Sequence, residues 1–371
     1  MKKIVPLIIV SLFACAKKVE YDRQKVAVAL VNHSYYKIDS VQAEVLSSDL
    51  ASLKKIDANA DIVSYKSKFV KKEQKPSPLY YPVVFSVDGG ILKAAKVFDL
   101  SMAYEAGLKS GCEILSVDSR KGSDIASNPA FLSGLMKEGV SFNVEYSCQK
   151  SSGKVEIKRE LAYFPFVWNM SLSDDSAYVR IMTFSPGISG FVKNNLTNLR
   201  ASGKKFLVVD LRGVSGGSYE EAASLLNLFI EKGRPLFETR SDKEGYVRKF
   251  EARNERSFGD FSLVLLVNSS TASLGEIVAQ SLRKNLGARI VGEKTAGKFF
   301  ITKIFKVGKG EGLRLTVARL TPGDFEMSEP LKPDYEVKDV LGENRDFVKV
   351  PFLTSEDPLI KKASEVLHLN L

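Results

Sequence analysis

The sequence predicts an α/β protein: a domain with a mixed sheet and helices, joined to a smaller, mainly β domain and preceded by a short helical N-terminal region. Three observations predict it. Between residues 163 and 345, short apolar runs such as Phe206–Val209 and Leu263–Val267 alternate with stretches of helical period, a pattern that layers helices on a sheet. Between residues 81 and 162 the apolar period shortens to two and successive runs are divided by glycine turns. A hydrophobic content of 44% over 371 residues is enough to bury more than one core.

The elements follow in chain order. Lys2 and Lys3 precede an apolar run, Ile4–Phe13, and Leu12-Phe13-Ala14-Cys15 closes it with small residues, as an export signal does. A spanning helix needs roughly 20 apolar residues, so this run is too short to cross a bilayer. The L-x-A-C ending resembles the bacterial lipoprotein lipobox, which implies cleavage before Cys15 and diacylation of that thiol. An ordinary secretory signal, or a short membrane-anchored start, is the alternative. On the lipobox reading residues 1–14 are a lipoprotein signal, Cys15 is a lipid anchor, and the mature chain sits in the cell envelope, facing the periplasm or the cell exterior.

Residues 15–80 form the helical N-terminal region and linker. Val26–Val31 is apolar, Val41–Ile56 has apolar positions near helical spacing, and Pro76-Ser77-Pro78 marks a linker. In residues 81–162, Val83–Phe85 and Ile91–Val97 read as strands around an Asp88-Gly89-Gly90 hairpin turn. A helical piece at Met102–Gly107, a strand at Ile114–Val117, a helix at Pro129–Lys137 and a strand at Ser141–Ser147 complete a unit of about 80 residues, an ordinary domain size. Residues 163–345 begin with an alternating strand, Tyr178–Phe184, and a helix, Ile188–Leu199. Phe206–Val209 is a buried strand, Tyr219–Ile230 an amphipathic helix, Leu263–Val267 a buried strand and Leu274–Leu286 a helix. Arg289–Val291 and Leu313–Leu320 are further strands. In the tail, residues 346–371, Asp357 caps a helix that starts with Pro358 and runs to about His368.

Composition excludes several functions. The formal charge is +10, and removing residues 1–14 takes away Lys2 and Lys3, leaving 52 basic against 44 acidic residues, or +8. The excess is spread along the chain, with one modest run at Lys66–Lys75, and basic and aromatic residues do not interleave as in a nucleic-acid groove. It reads as a solvated surface attracted at most to anionic lipid. Cys112 and Cys148 remain after Cys15, and an exported compartment permits a disulfide between them without requiring one.

Only two histidines occur, His33 near one end and His368 near the other. A nucleophile in the middle of the chain therefore needs another base. Apolar Val264–Val267 stops at Asn268-Ser269-Ser270, and Thr271-Ala272-Ser273-Leu274-Gly275-Glu276 leads into a helix. A serine at such a turn lies beside free helix N–H groups, which suit a developing oxyanion, although helix caps share this pattern. Asp210-Leu211-Arg212-Gly213-Val214-Ser215-Gly216-Gly217 ends another strand in a turn whose glycines let backbone approach a ligand. Gly292-Glu293-Lys294-Thr295-Ala296-Gly297-Lys298 follows a third strand.

Together these segments resemble the carboxy-terminal processing proteases, a family of serine–lysine peptidases in which a D-L-R-x-x-x-G-G turn, a [ST]-A-S-x-x-E turn and G-E-x-T-x-G-K follow in that order. Leu315–Arg319, Lys332-Pro333-Asp334 and the Asp357-Pro358 helix start extend the likeness, which covers residues 80–340. The resemblance implies an endopeptidase acting on flexible protein tails through an acyl-enzyme, with Ser273 as nucleophile, Lys298 as general base and the backbone N–H groups of Gly217 and Leu274 as oxyanion hole. No metal or organic cofactor is implied, and the partner is a protein or peptide substrate. A lysine, with an ordinary pKa of about 10.4, must drop roughly 3 units, or about 4 kcal/mol, to accept a proton near neutrality. Burial among Phe299, Phe300 and Ile301 is the expected cause. Thr302 stands where the family often has an amine-orienting glutamine, and Glu276 is a further candidate for that task. Val214 and Ser215 replace the usual asparagine and proline before the paired glycines.

Residues 81–162 resemble a PDZ domain through Ala103–Asp118, with Met102 in place of a proline and Cys112 in place of an aspartate. That implies capture of an extended protein tail at a sheet edge. In a PDZ sheet the strands bearing Cys112 and Cys148 are neighbours, which favours the disulfide. The departures at Thr302 and the glycine turn sustain a rival expectation, an inactive lipoprotein scaffold that binds tails.

Overall fold

The computed structural model describes residues 21–64, 81–98, 101–149, 151–160, 167–255, 257–323, 327, 329–339 and 357–368. The signal, Cys15, the Lys66–Lys75 run and the Pro76–Pro78 linker lie outside the described residues. The chain forms two compact units, residues 1–71 with 302–317, and residues 72–301 with 318–371.

The first unit contains α1 (Arg23–His33), α2 (Ser40–Ser48), α3 (Leu50–Ile56) and β1 (Asp61–Ser64). The Val41–Ile56 stretch, expected as one helical pattern, is two helices because Asp49 ends α2 and its carboxylate then accepts from Ser52 N–H at the start of α3. The helices bury Val26, Leu30, Leu46 and Leu53 with Val307, Leu313 and Leu315. His33 stacks on Phe305 at 4.3 Å, a packing role.

In the second unit, residues 83–157 form a β-rich piece: β2 (Val83–Asp88), β3 (Ile91–Val97), α4 (Met102–Glu105), β4 (Glu113–Val117), β5 (Arg120–Lys121), α5 (Gly122–Ser127), α6 (Ala130–Glu138), β6 (Phe142–Cys148) and β7 (Ser151–Ile157). The expected hairpin at Asp88–Gly90 is present, with Gly89 and Gly90 both at positive φ. That is the backbone a two-residue turn needs to match strand twist. Among the described residues the sheet order is β2-β3-β4-β6-β7, with β5 on β4. Cys112, just before β4, and Cys148, the end of β6, are joined by a disulfide.

The rest of the second unit is α/β: β8 (Val167–Ser171), β9 (Ser176–Ile181), α7 (Ile188–Ala201), β10 (Phe206–Asp210), α8 (Tyr219–Leu226), β11 (Pro235–Arg240), β12 (Arg248–Glu251), β13 (Ser262–Val267), α9 (Leu274–Leu286) and β14 (Arg289–Gly292). The chain continues through β15 (Phe300–Lys306) and β16 (Glu311–Thr321), of which residues 302–306 and 311–317 belong to the first unit, and then β17 (Tyr335–Glu336) and α10 (Pro358–His368) of the second. Among the described residues the main sheet runs β17-β14-β13-β10-β9-β8, parallel except for the antiparallel β8–β9 pair, so the mixed sheet is as expected.

Both faces of this sheet are covered. On one side α7, α8 and α9 bury Val192, Ala222, Ile277 and Val278 against Val179, Val209 and Leu265. On the other, α10 seats Leu359, Ala363 and Val366 on Val208, Val264 and Val291. The double cover corrects one expectation: Tyr178–Phe184 was to alternate between core and solvent, yet β9 is buried along its whole length. Strands covered on both faces have no solvent side to mark. Helix α8 ends at Leu226, four residues short of the expected Ile230, because the chain leaves the α-helix in turns over Asn227–Phe229 while Phe229 and Ile230 stay in the core.

Candidate active site

Strands β10, β13 and β14 are parallel neighbours, and all three motifs leave their carboxyl ends. In open parallel sheets that edge is where loops converge on a ligand. The glycine turn follows Asp210, the serine turn follows Val267, and the lysine turn follows Gly292.

Hydrogen bonds lock the turns together. Ala272 N–H donates to Val214 C=O at 2.9 Å, and Thr271 Oγ1 donates to Leu211 C=O at 3.1 Å, joining serine turn to glycine turn. Ala296 N–H donates to Thr271 C=O at 3.0 Å, joining lysine turn to serine turn. The approach is close enough to demand small residues. A Cβ on Gly275 would lie 2.4 Å from Val214 O, whereas at Gly216 a Cβ would make ordinary contact with Ser273 Cβ at 3.6 Å and it is the φ of +132° that calls for glycine. Gly217, at φ +147°, pairs with Phe184 in an isolated bridge, and a Cβ there would meet Phe184 O at 2.6 Å. An L side chain fails at this position on both conformation and space.

Ser273 is half-buried and adopts φ 55°, ψ −120°. This left-handed backbone is costly for a non-glycine residue, by about 1–3 kcal/mol, and persists only where the surroundings impose it. Leu274 is the buried first residue of α9, so its N–H is among those a helix start leaves free.

Glu276, fully buried in the first turn of α9, is the hub that sequence reading placed only as a further candidate. Its carboxylate accepts from Ser273 N–H (3.0 Å), Gly297 N–H (2.8 Å) and Lys298 N–H (2.9 Å), and from the Thr295 hydroxyl. Charge-assisted bonds of this kind are the stronger class, and a carboxylate at a helix N-terminus is further favoured by the dipole. It thus fixes the backbones of both expected reacting residues rather than the lysine amine. The signal was in the spacing, since an acid three residues after a cap-type serine is a helix-start pattern that can turn its carboxylate toward backbone N–H groups.

Lys298 departs from expectation. Its side chain is exposed, and among the described residues no hydrogen bond joins its ammonium to the Ser273 hydroxyl. Phe299 is buried at 2% exposure while Phe300 is 38% exposed. Side chains alternate along this extended segment, so seating Phe299 in the core turns Lys298 and Phe300 outward. The apolar enclosure expected for the amine is therefore not built in this conformation. Thr302 lies on β15 and is exposed.

Behind the glycine turn sits a buried ionic cluster. Asp210 receives Tyr178 OH (2.6 Å), Arg212 N–H (2.9 Å) and the Arg212 guanidinium, and pairs with Arg180. Burial alone would raise its pKa, but the Arg180 and Arg212 charges and the hydrogen bonds hold it below the ordinary carboxylate value. Arg212 also reaches Asp339 (3.3 Å) and Asp357 (2.7 Å), and the charges of Asp210 and Asp357 keep it protonated against its burial. Among the described residues no group of three or more His, Cys, Asp or Glu is arranged to hold a metal ion.

Residues 175–337 match the model of peptidase family S41. The chain is 29% identical over 275 residues to the carboxy-terminal processing protease CtpA of Bacillus subtilis, covering 72% of this chain and 57% of that protein. It is 29% identical over 253 residues to the carboxyl-terminal-processing protease of Synechocystis, covering 65% and 58%. It is 27% identical over 263 residues to the chloroplastic carboxyl-terminal-processing peptidase 1 of Arabidopsis thaliana, covering 67% and 53%. The chain thus spans about half the length of these relatives. A solved structure described as a putative S41 protease from Bacteroides fragilis has the same fold, with a TM-score of 0.53 and 18% identity over 93% of this chain and 97% of that one.

Proposed function

We propose that the chain belongs to the carboxy-terminal processing peptidase family, S41, and that it is an exported serine endopeptidase that cuts flexible protein tails through an acyl-enzyme. The observation that carries this reading is the joining of three turns at the carboxyl edge of β10, β13 and β14: Glu276 ties the serine turn to the lysine turn, and Thr271 and Ala272 tie the serine turn to the glycine turn. In the proposed reaction Ser273 Oγ attacks the scissile carbonyl, and its proton passes to the Lys298 amine and on to the leaving nitrogen. Gly217 and Leu274 N–H groups receive the oxyanion. Water, deprotonated by Lys298, then releases the acyl group. Because Lys298 is exposed here, the bound substrate has to cover it before the amine can act as a base.

The β-rich piece at residues 83–157 is proposed as a PDZ-like unit that captures the tail, with the Cys112–Cys148 disulfide as its brace. Cys15 is proposed as the lipid anchor in the cell envelope; among the described residues no helix is long and apolar enough to cross a membrane. Palmitate labelling of the expressed protein, lost on Cys15→Ser, is the expected result for the anchor, and unchanged labelling removes it.

Lys298 exposure also supports a second reading, a tail-binding scaffold without peptidase activity. Incubating residues 16–371 with an unfolded protein separates the two. Cleavage by the unsubstituted chain that is abolished in both Ser273→Ala and Lys298→Ala is the expected result. Tail binding with no cleavage in any of the three establishes the scaffold.

A further inference from the structure

We propose that Asp357, at the start of the C-terminal helix, is a positioning residue for the Ser273 site: one of its carboxylate oxygens caps α10, and the other holds Arg212 and with it the glycine turn. This goes beyond the peptidase assignment but rests on reading Ser273 as the nucleophile.

The two oxygens have separate tasks. Oδ1 accepts from Leu359 N–H (2.9 Å) and Ile360 N–H (3.4 Å), which caps α10. Oδ2 accepts from Arg212 Nη2 at 2.7 Å. Both side chains are buried, at 2% and 1% exposure, so water cannot replace the contact. The same guanidinium reaches Asp210 at the end of β10 and Asp339 in the segment after β17. Three chain segments therefore converge on one side chain.

Arg212 is the last side chain before a turn that cannot hold itself. Gly213, Gly216 and Gly217 all have positive φ, and glycine backbone has the most freedom to lose. The turn is fixed from its ends. Arg212 C=O accepts from Arg180 Nη2 at 2.5 Å, and Gly213 N–H donates to Asn268 Oδ1 at 3.0 Å. Asn268 Nδ2 in turn donates to Asp339 Oδ2 at 2.9 Å. One residue further, Val214 C=O receives Ala272 N–H, the neighbour of Ser273. Seating α10 thus completes the set of acceptors around Arg212, and Arg212 sets the turn that lies against the nucleophile.

The experiment uses residues 16–371 with Asp357→Asn, Asp357→Ser and Leu367→Ala. Asparagine and serine keep a capping oxygen and remove the charged contact, whereas Leu367→Ala weakens α10 packing and leaves Asp357 in place. Expected for both Asp357 variants is cooperative unfolding, a fall in kcat of at least about tenfold with KM within about twofold, and faster amide hydrogen exchange over residues 213–217. Leu367→Ala is expected to lower Tm without either change. The proposal is overturned if the folded Asp357 variants keep kcat and turn exchange, or if Leu367→Ala reproduces both losses. It is equally overturned if neither Asp357 variant unfolds cooperatively, since a fold requirement then accounts for the contact. If the unsubstituted chain shows no Ser273-dependent hydrolysis, the peptidase reading fails by itself, and exchange over residues 213–217 decides the positioning role.

Discussion

At the scale of single residues, Glu276 shows how one buried carboxylate can tie two turns together without touching the Ser273 hydroxyl or the Lys298 amine. Three backbone N–H groups and the Thr295 hydroxyl depend on it. Glu276→Ala leaves those donors unpaired in a buried place, at about 1–3 kcal/mol for each that water cannot reach. The expected outcome is a loss of at least about 3 kcal/mol in urea unfolding, together with loss of Ser273-dependent cleavage. Asp210 gives a pH prediction. Its folded pKa lies below the ordinary value, so its contribution is fully present above the unfolded pKa and is lost only as pH falls through the lower folded one. Asp210→Asn breaks a buried pair and should cost about 3–5 kcal/mol near neutrality. That gap should persist down to about pH 4 and narrow only below it, as urea midpoints between pH 3 and pH 7 will read. A gap that closed between pH 7 and pH 5 would contradict the assignment.

At the scale of elements, the three strand-to-turn motifs were legible because each combines an apolar run with glycine or small residues that only a tight approach requires. β10, β13 and β14 stand where those runs predict them. Strands β7, β11, β12 and β15 were not legible. β15 is exposed except at half-buried Ile301 and Phe305 and carries two lysines, and β7 begins with two serines and a glycine. Pairing with neighbours, rather than their own pattern, makes them strands. The β-rich piece relies on a covalent brace as well as a core. The Cys112–Cys148 link spans 36 residues, and closing a loop of that size restricts the unfolded chain by about 2–4 kcal/mol. The double variant Cys112→Ala/Cys148→Ala should lose that amount in urea unfolding without added reductant, and reductant should bring the unsubstituted chain to the same midpoint.

At the scale of the whole molecule, the sequence by itself determined the fold class and the order of the three site motifs. Both follow from local rules: a period of residues sets strand or helix, and glycine or a small residue marks where backbone must pass closely. It also fixed the helical tail from Asp357-Pro358, since a cap and a first-turn proline act on their own helix. What only the tertiary structure decided is which charges are buried together and which side chain faces water. Arg212 meets Asp339 and Asp357 across 127 and 145 residues of chain, and no spacing rule links such positions. Lys298 is exposed because Phe299 took the core position beside it, an outcome set by competition for one buried space. Glu276 was visible as a helix-start acid, but its hold on the lysine turn exists only because β13 and β14 bring the two turns side by side. Local conformational preference is written residue by residue, whereas desolvation and ion pairing depend on neighbours that only the folded chain supplies.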